Sequence, residues 1–162
     1  WMTGEPMYRY LNSVPWPSSE GSLAQTLAAV DKRMAADTTT PASEKRQIRG
    51  TIERVLKQYF DARPARPFIE RHLDRVAAWA DRHAIPRRRV LMGEFGALRT
   101  DARYVAARAA DRARYVRDVR EAAEERQFGW AFWNYFDSMG IVDGDATRRL
   151  DPRIAAALGL RS

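Results

Sequence analysis

The residues best suited to chemistry form a short motif, Gly93-Glu94-Phe95-Gly96, at the end of an apolar run. Flanking glycines leave room for a ligand to approach the carboxylate closely. A second motif is the aromatic block Phe128-Gly129-Trp130-Ala131-Phe132-Trp133-Asn134-Tyr135-Phe136. An indole beside a carboxylate suits a sugar. The ring stacks on the apolar C–H face while the carboxylate meets the anomeric carbon. The competing reading makes Glu94 a turn residue that caps the next helix or pairs with Arg99. Other candidates carry less. His72 and His83 sit on a helix near Trp79 and read as surface or half-buried helix residues rather than ligands. Asp143 and Asp145 could touch a cation, but around Gly144 they read as an ordinary turn. Trp1, Tyr8, Tyr10 and Trp16 either line distant subsites or pack their own loop. Cysteine is absent, which removes disulfides and thiolate chemistry.

Positioning Glu94 and Trp133 falls to elements legible from periodicity. Residues 1–21 mix prolines, glycines and aromatics and read as an ordered irregular loop. Ser22 with Gln25 three residues on is a capping-box start. Leu23, Leu27, Val30 and Met34 then make one helical stripe. A second helix is expected after Thr40 as N-cap and Pro41, with Ile48, Ile52, Val55 and Tyr59 inward. A third runs over 67–84 with Ile69, Leu73, Val76 and Ala80 inward. Residues 89–95 are too short and apolar for a surface helix and read as a buried strand. A long helix is expected over 101–126, with Val105, Ala109, Ala113, Val116, Val119 and Ala123 inward. Residues 128–136 read as a second buried strand, and a last helix runs from Asp151-Pro152 to Gly159.

Strands joined by a long helical crossover pair in parallel, which makes the class α/β. In a barrel of that class, catalytic groups sit at the C-terminal ends of strands, where Glu94 falls. Alternation puts Glu94 on the face of Val90 and Met92. On the second strand the small residues Gly129 and Ala131, with Trp133, suit a crowded barrel interior. Phe128, Trp130 and Phe132 then pack under outer helices, Trp130 against the 101–126 helix or the tail around Ile154 and Leu158. Two parallel strands do not make a stable sheet alone, so further strands or a partner are expected.

The chain of 162 residues is 45% hydrophobic, enough for one packed domain, and lacks an apolar run long enough for a membrane span. Its net charge is +7. The basic residues interleave with acids except at Arg87-Arg88-Arg89, so a solvated, salt-bridged surface is expected and no nucleic-acid partner. No signal-peptide pattern follows Trp1, and a chain starting there is expected to belong to a longer protein.

Together, Gly93-Glu94-Phe95-Gly96, the block Gly129 to Trp133, and the tail Gly140-Ile141-Val142-Asp143, Leu150-Asp151-Pro152 and Ala157-Leu158-Gly159-Leu160 resemble the C-terminal part of glycoside hydrolase family 5, the cellulase family. The match covers about residues 88–160. Residues 1–22 more loosely resemble the loop after strand six in some bacterial members. The resemblance implies the C-terminal portion of a (β/α)8 TIM barrel, incomplete as it stands. Residues 1–21 would be the loop after strand six, 22–86 a helical segment, and 87–162 would run from strand seven to the C-terminal helix. It implies a retaining β-glycosidase acting on a β-glucan or related polysaccharide, with no cofactor and no metal. Glu94 would be the nucleophile, Trp133 the stacking platform, and Asn134 a further substrate-binding residue. A secreted or periplasmic location is suggested. The family's acid/base glutamate follows an asparagine on strand four. Gly4-Glu5-Pro6 is similar to that motif, but Gly4 replaces the asparagine and residues 22–86 hold no strand, so Glu5 reads as a loop residue. The acid/base is therefore expected outside this chain, which by itself would be nearly inactive. The expected partner is a missing N-terminal barrel segment or an oligomer. The alternative is a non-catalytic remnant that binds glycan or serves as a helical interaction module.

Overall fold

The computed structural model describes residues 6–11, 13–100 and 106–160. Trp1, the Gly4-Glu5 pair and Val105 lie outside them. A short 3-10 turn, Pro6–Arg9, and another, Ser18–Glu20, precede three helices: α1 (Leu23–Ala36), α2 (Ala42–Ala62) and α3 (Arg66–Arg82). Then follow β1 (Leu91–Phe95), α4 (Ala109–Glu125), β2 (Gly129–Phe132) and α5 (Pro152–Ala157). β1 and β2 pair in parallel, with Leu91 opposite Gly129, Met92 opposite Trp130 and Phe95 opposite Phe132. The right mixture of elements is therefore present: helices with a small parallel sheet.

Helix starts follow capping chemistry where a cap exists. Ser22 Oγ accepts the Gln25 N–H at 3.2 Å, as its spacing predicts. Thr40 does not cap α2. The N-cap position is Pro41, without a side-chain bond, and Thr40 Oγ1 instead lies within hydrogen-bond distance of the Tyr10 hydroxyl, at 3.1 Å. At α5, Asp151 caps and Pro152 fills the first turn. Its carboxylate accepts from Arg153 N at 2.9 Å and Ile154 N at 3.4 Å.

Two cores result. In the first, Val30 and Met34 of α1 and Ile48, Ile52 and Leu56 of α2 enclose Tyr10. The Tyr10 hydroxyl also bonds Asp37, which pins Tyr10 to this helical pair. In the second, α3, α4 and α5 cover one face of the sheet. Phe95, Val116, Val119, Ile154 and Leu158 are buried there, and Ala77, Ala123 and Phe128 form an adjoining cluster. Trp16 joins this half by donating its indole N–H to Asp118 at 2.8 Å and meeting Tyr115 edge-on at 5.2 Å.

Several positions differ from the periodic reading. Val55 and Val76 are partly exposed, while Leu56 and Ala77 are buried in their place. One step around each helix separates the alternatives, and the neighbouring helix selects between them. α4 begins at Ala109, which is exposed, and its inward face is Val116, Val119, Ala122 and Ala123. β1 starts at Leu91 because Arg87–Arg89 form a 3-10 turn. β2 ends at Phe132 because the chain folds back on itself. Ile141 N donates to Asn134 O at 2.8 Å, and Val142 N donates to Tyr135 O.

Tyr59 on α2 donates its hydroxyl to Pro15 O, tying the loop to the helix. Burial first, and the Asp111 carboxylate second, push this phenol up to about 12. An unfolded tyrosine loses its proton near pH ~10. Between about pH 10 and 12 the folded chain therefore holds a proton that the unfolded chain has lost, and stability falls as pH rises through that window. Tyr59→Phe should flatten this decline in urea denaturation followed by circular dichroism. An identical slope in the variant would show that Tyr59 does not carry it.

Candidate functional site

Glu94 occupies the fourth position of β1, close to its C-terminal end, and is exposed. Its carboxylate makes no hydrogen bond or ion pair with any described residue. Arg99 does not pair with it. That guanidinium instead donates to Asp137 O at 2.8 Å and to Asp145 at 2.5 Å, while Arg99 N donates to Ser138 O at 2.7 Å. Asp145 thus serves as a loop anchor and also accepts the Asp137 N–H at 2.8 Å. Asp143 bonds Thr147 Oγ1 and Arg149. Among the described residues no group of three His, Asp or Glu could hold a metal ion.

Trp133 follows β2 directly and is 45% exposed. Its backbone N–H donates to Phe95 O at 2.7 Å, so the ladder continues across the strand ends. Gly96 makes that approach possible. A Cβ there would lie 2.1 Å from the Trp133 carbonyl oxygen, a separation no side chain tolerates. Glu94 and Trp133 line one groove of about 740 Å³, together with Tyr59 and Val55 of α2, Phe68, Ile69, His72 and Leu73 of α3, and Tyr115 of α4. Asn134 does not line it. Its peptide bond with Trp133 is cis, and its side-chain oxygen is buried without a hydrogen-bond partner among the described residues.

Strict alternation is not what brings Glu94 and Trp133 together. Met92 and Phe95 both pack with Trp130 and Phe132 on the helix-covered face, and Glu94 lines the groove together with Met92 and Phe95. Between Met92 and Phe95 the register slips: Gly93 and Glu94 oppose the single residue Ala131. A bulge of this kind interrupts the strict alternation of side chains along β1. The opposite face, with Leu91, Gly93, Gly129 and Ala131, is exposed, Leu91 at 65%.

Trp130 points to the helices, as the small-residue argument predicts. It is half-buried rather than fully buried. It meets Phe95 edge-on at 5.8 Å and donates its indole N–H to Glu124 of α4 at 3.0 Å. His72 and His83 are exposed and stand against Phe68 and Trp79.

One residue that organises the site carries no motif. Arg112 of α4 is 3% exposed. Its guanidinium donates to Ala97 O at 2.9 Å in the loop after β1, and to Met139 O at 3.1 Å and Gly140 O at 2.7 Å in the loop after β2. Asp151 lies 3.4 Å away. Burial lowers the guanidinium to about 10. Asp151 opposes that shift, and Arg99 adds to it, so the group remains charged at neutral pH. An arginine amid alternating charges gives no sequence signal for such a role. Its position one residue after the buried Asp111 at the head of α4 is the nearest hint.

Truncating Arg112 to Met should cost about 3 kcal/mol or more, because three carbonyls and a carboxylate lose their donor in a buried setting. Lys should recover only part of this, since an ammonium lacks the planar fork. Urea denaturation measures both, and equal stability of wild type and Arg112→Met would contradict the role. The two tryptophans should also separate. Trp130→Ala should cost about 3 kcal/mol, the low end for a large aromatic truncation. Trp133→Ala should stay within about 0.5 kcal/mol of wild type.

No family model matches the chain, and no curated protein matches it. Solved structures do resemble part of it. An endoglucanase aligns with a TM-score of 0.48 and 28% identity, over 58% of this chain and 28% of that one. A hyperthermophilic endo-β-1,4-glucanase solved with substrate aligns at 0.47 and 29% identity, over 58% and 27%. The cellulose synthase subunit Z from Clostridioides difficile aligns at 0.48 and 29% identity, over 57% and 28%. The chain thus spans little more than a quarter of the length of these proteins.

Proposed function

We propose that this chain is the C-terminal portion of a (β/α)8 retaining β-glycosidase that acts on a β-glucan or a related polysaccharide. The observation that carries the reading is local. An unpaired carboxylate, Glu94, and an exposed indole, Trp133, line one groove at the C-terminal ends of two adjacent parallel strands. The exposed face of Gly93, Gly129 and Ala131 fits a barrel interior, where small residues relieve crowding. The two strands would then be the seventh and eighth of the barrel. Among the described residues each strand has a partner on one edge only, and preceding barrel strands would cover the free edge and the bare face.

In this reading Glu94 attacks the anomeric carbon. The new C1–O bond forms as the glycosidic C–O bond breaks, and the departing oxygen takes a proton from a general acid. Retaining enzymes hold that second carboxyl roughly 5 Å from the nucleophile. Glu94 is the only carboxylate among the described residues that line the groove, so the acid/base belongs to the preceding part of the protein. Trp133 stacks beneath the attacked sugar; Asn134, which the sequence also suggested as a substrate contact, stays outside the groove. A secreted or periplasmic location would suit a polysaccharide substrate. The same lack of a second carboxylate favours one other reading, in which the chain binds glycan without turnover.

In the complete protein Glu94→Gln should abolish hydrolysis of a soluble β-glucan, and a 2-deoxy-2-fluoro-β-glycoside should label Glu94, as detected by peptide mass spectrometry. Undiminished turnover in Glu94→Gln would overturn the nucleophile assignment. The 162-residue chain alone should show almost no hydrolysis, since general acid–base catalysis is worth ~10²–10⁴-fold.

A further inference from the structure

Beyond Trp133 the chain presents two more aromatic side chains to solvent. Tyr135 and Phe136 are 53% and 52% exposed, and their rings meet edge-on at 6.3 Å. Large apolar rings held in water carry a hydration cost that packing elsewhere would remove. The turn that carries them is nevertheless tightly built. Gly140 N donates to Asp137 O at 2.8 Å, and Ile141 N returns to Asn134 O at 2.8 Å. Arg99 holds Asp137 O and Ser138 O from below. A Cβ on Gly140 would lie 2.7 Å from Phe136 Cα, so only glycine allows this close crossing. Two exposed rings on a fully anchored turn are pre-organised for contact.

The surroundings indicate the chemistry of what they contact. Residues 137–149 carry three aspartates and two arginines, and Arg99 supplies a third cation from the loop after β1. Asp145 is neutralised by Arg99 and Asp143 by Arg149. The rings are thus framed by hydrogen-bonding groups whose charges are balanced, which suits an uncharged ligand with apolar faces and a hydroxylated rim. An anionic surface or an acidic peptide finds no excess of positive charge here. The turn leads directly out of Trp133, at the same end of the sheet as Glu94.

We propose that Tyr135 and Phe136 form a second sugar-stacking platform that holds a neutral β-glucan chain beyond the residue on Trp133. This rests on the reading of the Glu94–Trp133 end as a glycan site, and it adds a binding surface separate from the groove. The test is affinity electrophoresis of the 162-residue chain in native gels containing hydroxyethyl cellulose, with gels lacking polysaccharide as reference. The wild type should be retarded. The double variant Tyr135→Leu/Phe136→Leu keeps apolar bulk without rings and should bind about tenfold more weakly, as expected for losing anchoring aromatics. Tyr135→Phe should retain most of the retardation. Trp79→Leu, which removes an exposed aromatic from α3, should migrate as wild type. Circular dichroism checks that each variant is folded. Absence of retardation in the wild type, or equal retardation in the double variant, overturns the platform. So does a dimer in sedimentation velocity that the double variant dissolves without any polysaccharide effect. If Glu94 resists fluoroglycoside labelling while the double variant still loses retardation, the hydrolytic reading falls and the platform stands.

Discussion

A single buried guanidinium holds the candidate site in register. When a strand leaves its ladder, its carbonyls lose their partners, and here that happens twice at the same end of the sheet. Arg112 reaches across from α4 and satisfies Ala97 O on one side and Met139 O and Gly140 O on the other. Its planar fork presents five N–H donors in a fixed geometry, against three on a freely rotating ammonium. Asp151 completes the arrangement and simultaneously caps α5. The distance between the two strand ends, and thus between Glu94 and Trp133, is therefore set by the helix that connects the strands.

The ladder and the glycines act at closer range. Trp133 N bonds Phe95 O, and Gly96 leaves the Trp133 carbonyl space to pass. The bulge at Gly93-Glu94 interrupts the alternation of β1 just before its last residue. None of these three features is costly alone. Together they bring an acid unpaired among the described residues and an exposed indole into one groove, while Phe128, Trp130 and Phe132 are committed to packing under α3, α4 and α5.

That packing covers only one side of the sheet. Parallel strands are normally buried on both faces, because their apolar runs and backbone edges need cover. Among the described residues the second face is bare and small-residue-rich, with Leu91 at 65% exposure. The α1–α2 pair does not cover it, having a core of its own around Tyr10, Val30 and Ile52. The incompletely covered element of the arrangement is thus the sheet, and the candidate site lies on that element.

Element types and their order were legible in the sequence because local rules fix them. Ser22 caps as its spacing predicts, and the apolar stripe of α1 keeps its helical period. Two short apolar runs separated by a helix gave parallel pairing, and the small residues Gly129 and Ala131 correctly turned Trp130 toward the helices. What the tertiary structure decided is finer. A choice of one residue around a helix, Leu56 over Val55 or Ala77 over Val76, depends on the neighbour packed against it. The bulge at Gly93-Glu94 depends on the partner strand, and no period in the chain announces it. The role of Arg112 depends on carbonyls from two distant loops, and a long-range donor of this kind leaves no period or spacing in the chain.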